Sequence, residues 1–167
     1  MNALEFRTRK ELRQKISMVT CYDFWSAQIL NQTDVDTLLV GDSLAMVMHG
    51  MDSTVHADID LMALQVKAVA RGAPDKFIVA DMPFLAARKG LSAAMDAVQA
   101  LMQAGANAVK IEGEKGLSEL IALIVDSGVP VVGHLGLTPQ SVHALGGHKV
   151  QARDAPLPAP RNPQCEQ

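Results

Sequence analysis

The chain has 167 residues, a length that favours one domain with a sizeable buried core. Hydrophobic residues make up 49% and charged residues 20%, as in ordinary soluble globular proteins. The net charge of −3 indicates neither nucleic acid nor an anionic membrane as a partner. Because residues 1–15 contain no apolar stretch of the signal-peptide type, and Cys21 and Cys165 lack metal-site spacing, we expect a cytoplasmic protein.

Five short apolar runs alternate with helix-like segments along the chain. In chain order they predict strands at 17–21, 37–41, 77–80, 108–111 and 129–133, and helices at 24–32, 58–71, 92–104 and 117–126. The second predicted helix has an apolar stripe, formed by Leu61, Leu64, Ala68 and Val69. Ser92 is the predicted N-cap of the third helix. This alternation predicts an α/β fold with a parallel sheet. It favours a (β/α)8 TIM barrel over an open doubly wound sheet, which is the alternative.

The strand–helix pattern stops near residue 153. Four prolines exclude helix and sheet interior from 154–167, which predicts a disordered tail after a partial barrel at 1–153. Since a complete barrel typically takes ~250 residues, we expect about five βα units with the last three strands missing. The first and fifth strands would then have open edges, which predicts weak solubility, or rescue by oligomerisation or by a complementing fragment.

Polar residues follow the predicted strands at their carboxyl ends, where barrel active sites lie. In strand order they are Tyr22 and Asp23, Asp42 and Ser43, Asp81, Lys110 and Glu112, and His134. Three converging carboxylates repel each other, and Mg²⁺ would relieve this repulsion. Lys110 lies two residues before Glu112 and therefore points to the same side. It would bind a substrate carboxylate, while Mg²⁺ chelated by an α-keto acid would stabilise an enolate.

Each of these residues also has a purely structural interpretation. Asp42 and Ser43 are candidates for capping the following helix, and Lys110 for extending to solvent. His134 could be a satisfied buried histidine. The other histidines lie in predicted loops, where solvated side chains are favoured: His49, His56, His143 and His148. The convergence of three acids at corresponding strand ends is what favours the metal site.

Several segments resemble the ketopantoate hydroxymethyltransferase family, also called 3-methyl-2-oxobutanoate hydroxymethyltransferase. They are MVTCYDFWSAQI (18–29), VDTLLVGDSLAMVMHGMDST (35–54), RGAPDKFIVADMPF (71–84), AGANAVKIEG (104–113) and GVPVVGHLGLTPQSVHALGGHKVQAR (128–153). The resemblance implies a (β/α)8 barrel that assembles as a decamer. It also implies transfer of a hydroxymethyl group from 5,10-methylenetetrahydrofolate to 3-methyl-2-oxobutanoate. The product would be ketopantoate, for pantothenate and coenzyme A biosynthesis.

The resemblance also implies roles for individual residues. By matching position, the Mg²⁺ ligands are Asp42, Asp81 and Glu112, and the substrate-binding residues are Asp42, Ser43, Asp81, Lys110 and His134. The family's catalytic glutamate, proposed to remove the C3 proton, lies beyond the LGGHKVQ block. Glu166 lies in the proline-rich tail and does not match it. The tail resembles nothing in the family, as if the reading frame had shifted after Arg153.

Two alternatives to an active hydroxymethyltransferase therefore stay open. One is a catalytically dead remnant that at most associates with intact subunits. The other is a different Mg²⁺-dependent keto-acid barrel of the phosphoenolpyruvate mutase type, against which the GLTPQS block argues.

Overall fold

The computed structural model describes residues 1–145 and residue 147, without the side chain of Leu145. The helices are α1 Ala3–Glu11, α2 Phe24–Asn31, α3 Leu44–Val47, α4 Ile59–Gly72, α5 Leu91–Gln103, α6 Ser118–Asp126 and α7 Val142–Leu145. The strands are β1 Met18–Thr20, β2 Thr37–Val40, β3 Phe77–Asp81, β4 Ala108–Glu112 and β5 Val131–His134. The predicted tail at 154–167 and the domain boundary at residue 153 lie outside the described residues.

The strands form one parallel sheet in the order β1-β2-β3-β4-β5. This sequential order contradicts the doubly wound alternative, in which the strand order reverses at a switch point. It is the order of consecutive βα units in a β/α barrel and confirms that prediction. β1 and β5 lie at the two edges of the described sheet, as expected, and the effect on solubility stays a prediction.

One face of the sheet packs against α2, α4, α5 and α6, and fully buried aliphatic side chains fill this layer. In α4 the buried apolar side chains are those of Met62, Val66 and Val69, whereas Leu64 is 63% exposed. The predicted stripe was therefore wrong at Leu64. α4 is apolar at enough positions to allow two stripes, and packing against the sheet selects the one that begins at Met62. Among the described residues no helix is both long and apolar enough to cross a bilayer.

The start of α5 also differs from the prediction. The helix begins at Leu91, directly after Gly90, so Ser92 lies inside its first turn and is not the N-cap. Gly90 has a φ of 97°, a conformation that glycine adopts at little cost. The backbone of Gly90 therefore sets the direction in which the chain enters the helix.

The other face of the sheet is apolar near the amino ends of the strands, where α1 covers it. Phe6 of α1 packs edge-to-face on Phe77, with ring centroids 4.8 Å apart. An ion pair between Arg9 and Asp36, at 2.7 Å, holds the helix in place. Along β3 this face begins with Phe77 and Val79 and ends with Asp81. The polar residues are therefore concentrated at the carboxyl ends of the strands.

Candidate active site

The carboxyl ends of β2 to β5 bring the predicted polar residues into one cluster. Asp42 lies just beyond β2, Asp81 ends β3, and Lys110 pairs in register with Asp81. Glu112 and His134 pair in register at the ends of β4 and β5. Since neighbouring parallel strands place equivalent positions side by side, the register itself assembles this site.

The two aspartates are buried together, each only 3% exposed. The Asp42 backbone N–H donates to Asp81 Oδ2 over 3.1 Å. Lys110 Nζ lies 2.7 Å from Asp81 Oδ1 and 3.8 Å from Glu112 Oε1. The Lys110 side chain is 12% exposed, so the interpretation that it extends to solvent is wrong. It is the cation that offsets these carboxylates.

Glu112 is held from two sides. His134 Nδ1 lies 2.9 Å from Glu112 Oε1, and the backbone N–H of Gln140 donates to Oε2 over 3.1 Å. Because an ionised carboxylate only accepts hydrogen bonds, Nδ1 carries the proton when the imidazole is neutral. Nε2 of His134 is then an acceptor.

Gln140 is a site residue that the sequence reasoning missed. Its Nε2 donates to Asp42 Oδ2 over 2.8 Å and to the carbonyl oxygen of Met82 over 2.9 Å. It lies in the GLTPQS block, which follows the fifth strand. That position after a strand end was the available signal, but the amide contacts Asp42 only because the segment after β5 folds back over the carboxyl ends of β2, β3 and β4.

Ser43, Tyr22 and Asp23 also follow strand ends, Ser43 directly after Asp42 and the other two after β1. Tyr22 Oη and Ser43 Oγ share a hydrogen bond of 2.8 Å. In the described structure the Ser43 side chain makes no capping bond to α3, so the capping interpretation fails for this residue. Asp23 does cap a helix, because its carboxylate accepts from the backbone N–H and the hydroxyl of Ser26, both at 2.8 Å.

The electrostatics of the cluster show that negative charge is in excess. Burial, followed by the neighbouring Asp81, raises the pKa of Asp42 from 3.8 to about 6, against the opposing hydrogen bond from Gln140. Burial also raises the pKa of Asp81, although Lys110 opposes the effect. Three carboxylates therefore face one lysine in a desolvated space, which a further cation would stabilise.

The aspartate pair fits a hard divalent cation. Asp81 Oδ1 is buried, and among the described residues the Lys110 ammonium, 2.7 Å away, is the polar group beside it. Mg²⁺ commonly binds one or two carboxylates and takes its other oxygens from water and substrate. Among the described residues no three His, Cys, Asp or Glu side chains are close enough to share an ion. Asp42 and Asp81 are therefore the two residues that suit a divalent cation, and Glu112 lies beside them.

The remaining histidines lie outside the cluster. His49, His56 and His143 are exposed, as the solvated interpretation predicts, and His56 Nε2 lies 2.8 Å from Asp52 Oδ1. His148 lies outside the described residues.

A sequential parallel β/α sheet with buried acids, a lysine and a histidine at its carboxyl ends defines a protein of the β/α-barrel class. Residues 1–157 match the ketopantoate hydroxymethyltransferase family, and the chain belongs to that family. It is 55% identical over 155 residues to the 3-methyl-2-oxobutanoate hydroxymethyltransferase of Coxiella burnetii (strain Dugway 5J108-111), covering 92% of this chain and 58% of the relative. The protein of that name from Bdellovibrio bacteriovorus is 57% identical over 151 residues, covering 90% and 57%.

The chain thus spans less than two thirds of the length of these relatives. Among solved structures it is similar to 2,3-dimethylmalate lyase, a member of the PEP mutase/isocitrate lyase superfamily. That match has a TM-score of 0.57 at 17% identity and covers 78% of this chain and 51% of the lyase. A putative phosphonomutase from Burkholderia cenocepacia J2315 gives a TM-score of 0.59 at 17% identity, covering 72% and 55%. At this identity the likeness shows the fold alone.

Proposed function

We propose that the chain contains the metal-binding and keto-acid-binding residues of a cytoplasmic 3-methyl-2-oxobutanoate hydroxymethyltransferase. The reaction would transfer a hydroxymethyl group from 5,10-methylenetetrahydrofolate to 3-methyl-2-oxobutanoate and give ketopantoate. Family membership supports the reaction type. The observation that carries the proposal is the buried pair of Asp42 and Asp81, which has more negative charge than Lys110 offsets.

In this proposal Asp42 and Asp81 hold Mg²⁺, and Glu112 completes the acid set beside them. When bound, Mg²⁺ would polarise the keto group and acidify the adjacent carbon. Lys110 lies between Asp81 and Glu112, where its ammonium would pair with the carboxylate of the keto acid. A cation held by Asp81 would offset its charge, and the Lys110 ammonium would then be available for that pairing.

Ser43 and His134 would orient the substrate. The Ser43 hydroxyl is held by Tyr22 and can donate a hydrogen bond to a keto-acid oxygen. His134 is fixed through Nδ1 by Glu112, which directs Nε2 away from the acid. Nε2 can then accept a proton or a hydrogen bond from a bound molecule. In this proposal Ser43 and His134 bind and orient the keto acid. Removal of its C3 proton would require a further base.

A second candidate function is substrate and metal binding without turnover, as part of a larger assembly. The observation that favours it is that β1 and β5 lie at the two edges of the described sheet, where further strands could pair. In both cases we propose a homo-oligomer, which the family resemblance implies and which analytical ultracentrifugation would test.

Turnover separates the two candidates. The purified chain, expressed in a host that lacks its own hydroxymethyltransferase, is incubated with keto acid, methylenetetrahydrofolate and MgCl₂, and ketopantoate is measured. The full-length Coxiella relative serves as the positive control, and Asp81→Asn is the matched negative control. Ketopantoate formation supports the transferase. Mg²⁺-dependent keto-acid binding without product supports the second candidate, and the absence of both contradicts the proposal.

A further inference from the structure

The segment after β5 folds back across the carboxyl ends of three strands, and one residue makes the contacts that hold it there. Gln140 lies in the short helical turn Pro139–Ser141. Its backbone N–H contacts Glu112 on β4, and its side-chain amide contacts Asp42 after β2 and the carbonyl of Met82 after β3. A single residue therefore bonds to groups from three consecutive βα units.

We propose that Gln140 is a positioning residue, which holds this segment over the aspartate pair and fixes the orientation of the Asp42 carboxylate for a cation. The proposal rests on the proposed function in one respect, namely that Asp42 and Asp81 bind the ion. The Gln140 amide has two N–H donors, and it has two acceptors at 2.8 Å and 2.9 Å. Neither donor is left for another partner.

The amide can position the Asp42 carboxylate because its second acceptor is a backbone carbonyl oxygen that is held in place. The Met82 carbonyl is backbone, and the Met82 N–H is itself hydrogen-bonded to the Lys110 carbonyl oxygen across the sheet. Gln140 therefore ties the Asp42 carboxylate to the rigid end of β3. Oδ2 of Asp42 accepts this bond, and no hydrogen bond to Oδ1 from the segment is seen among the described residues.

The backbone N–H of Gln140 holds the Glu112 carboxylate in a similar way. Its Oε2 accepts from Gln140 while its Oε1 pairs with His134, so both carboxylate oxygens are engaged. The same turn thus holds Glu112 beside the aspartate pair. Loss of the Gln140 side-chain bonds should loosen the whole turn, because its N–H bond to Glu112 depends on the turn staying in place.

Gln140→Met tests the proposal with a side chain of similar length that has no donor. Gln140→Glu keeps the shape but places a fourth carboxylate against Asp42 and should have the larger effect. Ser141→Ala is the matched control, since Ser141 is the exposed neighbour in the same turn. Hydrogen–deuterium exchange of residues 137–145 is measured on the metal-free and substrate-free chain, and Mg²⁺ affinity is measured by calorimetry.

We expect Gln140→Met to increase exchange in residues 137–145 and to weaken Mg²⁺ binding about tenfold, the effect of one hydrogen bond to a charged group. Ser141→Ala should match the wild type in both measurements. Exchange that is unchanged in Gln140→Met and Gln140→Glu overturns the proposal, whatever the chain catalyses. Faster exchange with unchanged Mg²⁺ affinity overturns the positioning role, because the segment would then open without consequence for the ion. Failure of the proposed function is distinguished by the absence of keto-acid binding in the wild type.

Discussion

Replacing Asp42 with asparagine is expected to stabilise the metal-free chain at pH 8. Asp42 is 3% exposed, and its pKa is raised from 3.8 to about 6, mainly by burial and then by Asp81. Between these two pH values the folded state binds more protons than the unfolded state. The free energy of unfolding therefore falls as the pH rises through this window. Above it the charged carboxylate destabilises the fold by about 3 kcal/mol.

The asparagine introduced by Asp42→Asn carries no charge, and its side-chain oxygen can still accept the hydrogen bond from Gln140. The variant should therefore regain most of the lost stability, which corresponds to a melting temperature about 6–12 °C above that of the wild type at pH 8. At pH 4.5, where the wild-type carboxyl is largely protonated, the two proteins should melt within a few degrees of each other.

The assay is thermal unfolding followed by circular dichroism in EDTA, with a second series in MgCl₂. Asp96→Asn is the control, because Asp96 is exposed on α5 and lies outside the cluster. Mg²⁺ should stabilise the wild type and stabilise the Asp42→Asn variant less. The reasoning is refuted if the variant melts at or below the wild-type temperature at pH 8 in EDTA.

Three further predictions concern single side chains. Lys110→Met should destabilise the chain by about 3–5 kcal/mol in EDTA, because Asp81 loses its buried partner. Urea unfolding should show that MgCl₂ restores part of this stability. An equal loss of stability in both buffers would contradict the prediction. Asp23→Ala should cost about 1 kcal/mol through loss of the α2 cap, and Asp23→Asn much less; a large change in keto-acid affinity would show that its role was misassigned. Gly72→Ala should destabilise by roughly 1–3 kcal/mol, since a Cβ there would lie 2.5 Å from the Phe24 carbonyl oxygen. Gly133→Ala is the control, because its Cβ would meet nothing within 4 Å among the described residues, and equal melting temperatures would refute the packing argument.

The sheet could be predicted from sequence because short buried strands are continuous apolar runs. β3 is buried at all five positions and reads as one such run from Phe77. α1 could not be predicted in this way, because its own residues are mostly exposed and it has no apolar stripe. What places α1 is the contact between Phe6 and Phe77, which joins residues far apart in the sequence.

In the candidate site, too, some contacts follow from local sequence patterns and others do not. Asp81, Lys110 and Glu112 are fixed by strand ends and by the two-residue repeat of a strand, so spacing alone predicts that they converge. The contact of Gln140 with Asp42 crosses 98 residues of sequence. It depends on the path of the segment after β5, which local patterns do not specify.

Metal-dependent binding of the keto acid by the aspartate pair can be measured by calorimetric titration of 3-methyl-2-oxobutanoate into the purified chain, with MgCl₂ and with EDTA. We expect binding in MgCl₂ that is lost in EDTA and lost in Asp81→Asn, while Asp96→Asn binds as the wild type does. Binding that is equal in the two buffers, or the absence of binding in MgCl₂ by a folded chain, would contradict the claim that the aspartate pair is a metal-dependent keto-acid site.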